Sequence, residues 1–232
     1  MWFCVVPARG GSKRIPRKNL LELGGLPLIA VTLKNLISSG VFSKVYVSTE
    51  DYEIAKVASH YGAIVPFMRS NELADDYTST LNVLKDMLSK LENISNDDYV
   101  ACVYPASVFI DAKILETIKN RCKTNLDNGD FVISVKKFTH PIERALSISD
   151  DCRIISFNPE AALSRTQDLK SIYHDAGQFY FAKKKTWLNA TSIFEKSVAY
   201  YLSDFKFLDI DSPLDFENLK ILYSFYHPEL HE

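Results

Sequence analysis

Apolar positions in this chain switch between short β-branched runs and amphipathic stretches at helical spacing. Residues 2–6 are continuously apolar and read as a strand buried on both faces. Over 27–39, Ile29, Leu33, Leu36 and Ile37 share one helical face, with Pro27 suited to the first turn and Gly40 to the stop. Residues 44–48 alternate as a second strand. A helix follows over 51–61, with Ile54, Val57, Ala58 and Tyr61 inward and Gly62 as its end, and then a third short strand over 63–67. This βαβαβ order calls for a parallel sheet with right-handed crossovers.

A polar loop covers 68–80, and Leu81, Leu84, Leu88 and Leu91 then form a helical stripe. A fourth strand is expected at 98–104, a helix at 111–125 and a fifth strand at 130–135. From Lys136 the rhythm loosens, so 136–175 reads as an excursion from the main sheet. Strands return at 176–181, 198–202 and 208–211. Ser212-Pro213-Leu214-Asp215 has the form of a capping box, opening a helix to about residue 226, with 227–232 as a frayed tail. The expected fold is α/β and Rossmann-like: one domain over 1–232, mostly parallel, with a small excursion.

Composition narrows the class. The 232 residues are 47 % hydrophobic and 24 % charged, with a formal net charge of −2, an ordinary globular mix and no general nucleic-acid binder. No apolar run reaches membrane-spanning length. Cys4, Cys102, Cys122 and Cys152 are widely spaced, as buried free thiols would be, and not as a zinc site or disulfide framework. The first strand begins directly after Met1, so no leader is expected and the setting is cytoplasmic, without a membrane or nucleic-acid partner.

Against this near-neutral background, Ala8-Arg9-Gly10-Gly11-Ser12-Lys13-Arg14-Ile15-Pro16-Arg17-Lys18-Asn19 is sharply basic. A charge run alone is usually a solvated turn. This one follows the first strand and holds paired glycines whose N–H groups can face an anion, so it reads as a phosphate-binding loop. It fits neither the P-loop nor the dinucleotide fingerprint. At the far end of the chain, Asp209 and Asp211 would share one side of a strand. Two carboxylates beside a phosphate site suit Mg²⁺; the plainer reading is that Asp211 and Ser212 cap the last helix. A dehydrogenase would open in the same βαβ way but needs G-x-G-x-x-G. A non-catalytic sugar-nucleotide binding module would keep the loop and lose the carboxylate pair.

The segment PARGGSKRIPRKNL resembles the opening motif of the cytidylyltransferases that activate nine-carbon acidic sugars, the relatives of CMP-sialic acid synthetase. RSNELADDYTST resembles that family's base-recognition loop, with Arg69, Asp76 and Ser79 matching it. SRTQDL followed by YHDAGQFYF is closer to the family's pseudaminic acid branch than to the N-acetylneuraminate branch. Tyr104-Pro105-Ala106-Ser107-Val108-Phe109 departs from the sialate pattern, which has glutamine before PTSPLR, and Val108 departs from the pseudaminic pattern as well.

The resemblance covers residues 7–222 and implies a nucleotidyltransferase fold, CTP and a nonulosonic acid as substrates, Mg²⁺ as cofactor, and a homodimer formed through 136–175. It implies Ala8, Arg9, Gly10, Gly11, Ser12, Lys13, Asn19, Arg69, Asp76 and Ser79 at CTP, and Tyr104, Arg165, Gln167 and His174 at the sugar. Asp209 and Asp211 would hold the metal, and Arg9, Lys18 and Asp211 would be catalytic. Pseudaminic acid is the sugar it favours, with N-acetylneuraminate and an eight-carbon keto acid as alternatives.

Overall fold

A computed structural model describes residues 1–202 and 207–228. The chain opens with β1 (Trp2–Pro7), a small hairpin of β2 (Glu22–Leu23) and β3 (Leu26–Pro27), and α1 (Leu28–Ser38). Next come β4 (Lys44–Ser48), α2 (Tyr52–His60), α3 (Thr80–Lys90), β5 (Tyr99–Val103), α4 (Ala112–Arg121), α5 (Lys123–Asp127) and β6 (Phe131–Lys137). A peripheral ribbon of β7 (Leu146–Ile148) and β8 (Ile154–Ser156) follows, then β9 (Tyr173–Lys183), α6 (Lys184–Asn189), β10 (Ser197–Tyr201) and α7 (Pro213–Tyr226).

The main sheet has the order β10-β6-β9-β5-β1-β4, and β9 is its antiparallel member. The mostly parallel α/β fold expected from the sequence is therefore present. Both faces are covered. Cys4 and Val6 of β1 point into a core with α1, α2, α4 and α7. Phe3 and Val5 point into a second core with α3 and with Trp187 of α6. The chain passes from β1 to β4 on one side and later to β5 on the other. The loop leaving β1 thus sits at a topological switch point, where open α/β sheets bind ligands.

Several expectations need correction. The strand at 63–67 reduces to one bridge between Ile64 and Tyr46, because Pro66 has no N–H with which to continue the ladder. The helix at 111–125 breaks at Cys122 into α4 and α5. Residues 173–175 belong to β9, so the departure from the sheet ends before Tyr173. α6 was not foreseen, and Cys152 is exposed. No strand forms at 208–211. The carbonyls of Phe207, Leu208 and Ile210 instead accept from side chains of Lys136, Gln178 and Lys18, at 2.7, 3.0 and 2.7 Å. The Ser212 capping box, with Pro213 beginning the helix, is present as read. Among the described residues no helix is long and apolar enough to cross a membrane.

Candidate active site

The loop from Ala8 to Asn19 is pinned at both ends. Ala8 N donates to Ser48 O at 2.9 Å, and the buried Asn19 amide donates to Arg9 O at 2.9 Å. Gly10 is crowded: a Cβ there would lie 2.3 Å from Asp51 Oδ2. Its N–H donates to Glu50 Oε1 at 2.7 Å, so this amide does not face the cleft as expected. A Cβ on Gly11 would meet nothing within 4 Å, so that backbone is open to close approach. Arg17, in the left-handed region at φ 58°, turns away and donates to Asp51 Oδ2 at 2.7 Å.

The remaining cations line a cavity of about 540 Å³. Arg9, Lys13, Arg14 and Lys18 form one wall, and Arg69, Asp76 and Thr80 part of another. Asp76 bridges the walls, accepting from Arg9 at 2.6 Å and standing 2.5 Å from Lys13 Nζ. The hydrogen bonds from Lys13 and Arg9 hold its carboxyl below the usual aspartate range. Arg14 pairs with Asp211 at 2.6 Å. The Arg69 guanidinium, 3 % exposed, pairs with Glu50 at 2.6 Å, so Glu50 braces both Gly10 and Arg69.

A second cavity of about 290 Å³ adjoins the first. Asp175, Gly177, Gln178, Tyr180 and Asp209 line it. Lys18, Asn19, Tyr104 and Pro105 line both, so they mark the junction. Lys18 Nζ donates to Ile210 O, between the two aspartates. Burial lowers the Lys18 pKa, and the charges of Asp209 and Asp211 work against that shift. Asp209 is raised, first by burial and then by repulsion from Asp211. Asp211 lines the first cavity and Asp209 the second. Among the described residues no group of three His, Cys, Asp or Glu converges. Mg²⁺ does not need one: one or two carboxylates with phosphate oxygens and water suffice, and this donor set fits.

The structure therefore brings Arg9, Ser12, Lys13, Lys18, Asn19, Arg69, Asp76, Tyr104, Asp209 and Asp211 to adjoining cavities. Ala8, Gly10 and Gly11 support the loop without forming cavity wall. Ser79 is a helix cap, accepting from Asn82 N at 3.2 Å, and lines neither cavity. Arg165 and Gln167 are exposed and lie outside both cavities of their own chain. His174 lies outside them too, its Nδ1 2.8 Å from Asp175 O and its ring against Phe138.

Sequence reasoning placed Arg14 in the cationic loop without giving it a contact of its own, and missed Thr80, Asp175 and Tyr180 as wall residues and Glu50 as a brace. The signal for Tyr180 was an aromatic inside a Gly-containing strand. For Glu50 there was none beyond its place in the loop just after β4.

A doubly covered, mostly parallel sheet with a cationic loop at its switch point and two carboxylates beside it defines a nucleotidyltransferase. The chain belongs to the cytidylyltransferase family, whose model matches residues 3–226. It is 38 % identical to pseudaminic acid cytidylyltransferase of Campylobacter jejuni over 97 % of both chains. It is 32 % identical to CMP-N,N'-diacetyllegionaminic acid synthase of Legionella pneumophila over 92 % of both. Among solved structures, CMP:2-keto-3-deoxy-manno-octonic acid synthetase complexed with CTP shares the fold, with TM-score 0.70 at 16 % identity, covering 97 % of this chain and 99 % of that one.

Proposed function

We propose that the chain transfers CMP from CTP to the anomeric hydroxyl of pseudaminic acid, releasing pyrophosphate. The observation that carries this reading is Lys18 at the junction of two cavities, with Asp209 and Asp211 flanking it. The larger, cationic cavity takes CTP and the smaller takes the sugar. Arg9, Ser12 and Lys13 receive the triphosphate, which displaces Asp76 from the two cations. Arg69 and the 70–79 loop hold the pyrimidine. Lys18 meets the charge that develops on the leaving pyrophosphate, a preorganised cation in a largely water-poor position. Asp209 and Asp211 would hold Mg²⁺, which when bound offsets triphosphate charge and polarises the α-phosphoryl group. The setting is cytoplasmic.

The enzyme works as a homodimer. Ile148, Ile154 and Leu163 of the peripheral segment are 73, 68 and 91 % exposed, an apolar surface of the kind interfaces cover. Arg165 and Gln167 follow it in sequence and reach the partner's sugar cavity.

Pyrophosphate release, measured with each nucleoside triphosphate against pseudaminic acid, N-acetylneuraminate and the eight-carbon keto acid, tests the reading. Release with CTP and pseudaminic acid is expected. Preference for another sugar would move the assignment within the family, and no release with any would leave a binding module.

A further inference from the structure

The cations of the phosphate-binding loop already have partners inside the protein. Arg17 is turned onto Asp51, Lys18 is committed to Ile210 O, and Arg14 is paired with Asp211. Arg9 and Lys13, which face the larger cavity, share one carboxylate, Asp76. One of its oxygens accepts from Arg9 Nη1 at 2.6 Å, and the other stands 2.5 Å from Lys13 Nζ. Arg9 Nη1 also donates to Asp75 O at 3.0 Å. These three contacts strap the 70–79 loop to the phosphate-binding loop.

The turn that presents Asp76 is built from its own neighbours and does not need the strap. Asp75 Oδ1 accepts from Tyr77 N and Thr78 N at 3.0 and 2.6 Å. Ser70 and Ser79 cap the helical turns on either side, accepting from Glu72 N and Asn82 N. Asp76 therefore stays beside the cations when its contacts with them break. A carboxylate held between a guanidinium and an ammonium makes the charge-assisted contacts that a phosphate group would make there. The Arg9, Lys13 and Asp76 side chains are 38, 81 and 33 % exposed, so these ion pairs are weak enough to yield to an anion of higher charge.

We propose that Asp76 is a built-in competitor for the phosphate site, which covers Arg9 and Lys13 in the empty cavity, gives way to the triphosphate, and returns to the same cations to hasten the departure of pyrophosphate. This rests on the reading of the larger cavity as the CTP site given above. Breaking the strap costs every anion that takes both cations the same free energy. The consequence differs between substrate and product. CTP has its pyrimidine and ribose to hold it as well, whereas free pyrophosphate is held through its charge alone. The carboxylate that competes with it is tethered a few ångströms away and never leaves the site, so each partial detachment of pyrophosphate exposes a cation that Asp76 can retake. A nucleoside without phosphate makes no claim on the two cations and leaves the strap in place.

Asp76→Asn keeps the shape of the side chain and removes its charge. Calorimetric titration with inorganic pyrophosphate is expected to show binding about three- to tenfold tighter than in the wild type, the range open to two solvent-accessible ion pairs. Stopped-flow displacement is expected to show dissociation slowed by a similar factor. Cytidine should bind both proteins alike. In a Lys13→Met background the gain from Asp76→Asn should shrink, because one of the two pairs is already gone. A gain of undiminished size there would mean that Asp76 acts only as a distant negative charge, and overturns the proposal. Pyrophosphate binding that Asp76→Asn leaves unchanged or weakens, a gain confined to the association rate, or an equal gain for cytidine overturns it as well. In all of these cases the CTP site stands. Wild-type protein from which CTP fails to displace pyrophosphate overturns the reading of the larger cavity, and the role of Asp76 with it.

Discussion

Lys18 and Lys13 belong to the same cationic loop, yet their surroundings assign them different work. Lys18 is largely buried, hydrogen-bonded to Ile210 O and set between two carboxylates, whereas the Lys13 side chain is 81 % exposed and pairs with Asp76. A preorganised buried charge acts on the transition state, and a solvated one mainly on encounter and binding. Lys18→Met is therefore expected to cut turnover about 10²–10³-fold. Lys13→Met should chiefly raise the KM for CTP. Steady-state pyrophosphate release separates the two, and a KM effect at Lys18 with kcat intact would contradict this assignment. Gly10 obeys a different constraint. The 2.3 Å approach of a Cβ to Asp51 Oδ2 forces the loop or the Asp51 side chain that caps α2 to shift. Gly10→Ala is expected to cost about 1–3 kcal/mol in urea unfolding, the usual range for overpacking, while Gly11→Ala costs far less and acts on CTP affinity instead.

At the scale of the element, β9 explains what the sequence could and could not convey. Its apolar run was legible, as were β1, β4 and the Ser212 cap, because each depends on neighbours in sequence. The contact between Tyr180 and Asp175 was not. In an unbroken strand, residues five apart face opposite sides. Here Ile133 faces Tyr180 while Val135 faces Asp175, so two steps along β6 correspond to five along β9. That slip turns the face over at Gly177, whose φ is 59°. The partner that holds the irregularity lies on another strand. The buried Ser134 hydroxyl donates to Phe179 O at 3.1 Å and accepts from Phe179 N and Gln178 N at 3.1 and 3.3 Å. The 208–211 segment misled for the same reason: its alternation is strand-like, but its carbonyls are met by Lys136, Gln178 and Lys18 from distant positions. The cationic loop could be read because its charges are contiguous, whereas the carboxylates that answer it, Glu50 and Asp76, come from other loops. Ser134→Ala leaves two buried N–H groups without that acceptor, a loss of about 1–3 kcal/mol. A lower urea midpoint at unchanged slope is expected, together with a higher KM for the sugar and little change for CTP. Equal effects on both substrates would separate the irregularity from the second cavity.

At the scale of the molecule, the β7–β8 ribbon stands apart from the sheet that carries the site. A two-stranded ribbon is marginal by itself in water. Its cross-strand pair Ile148 and Ile154 is exposed on both sides, and Arg144 ties the ribbon to the turn at Thr166 through a 3.0 Å hydrogen bond. In the proposed homodimer a second copy would cover this surface, stabilise the ribbon and fix the segment that carries Arg165 and Gln167. Ile148→Asp together with Ile154→Asp places two like charges across the strand pair, where any partner would have to desolvate them. Sedimentation equilibrium at micromolar concentration is expected to give a dimer for the wild type and a monomer for the double variant. The kinetic consequence is asymmetric. The larger cavity is lined by residues far from the ribbon in sequence, so the KM for CTP should be retained, while in the proposed dimer the smaller cavity would lose the partner's guanidinium and the KM for the sugar should rise. Arg165→Ala in the intact dimer should reproduce the sugar effect without changing the mass. A double variant that is monomeric and fully active toward both substrates would show that one chain completes its own site and that the ribbon's apolar face answers to some other need.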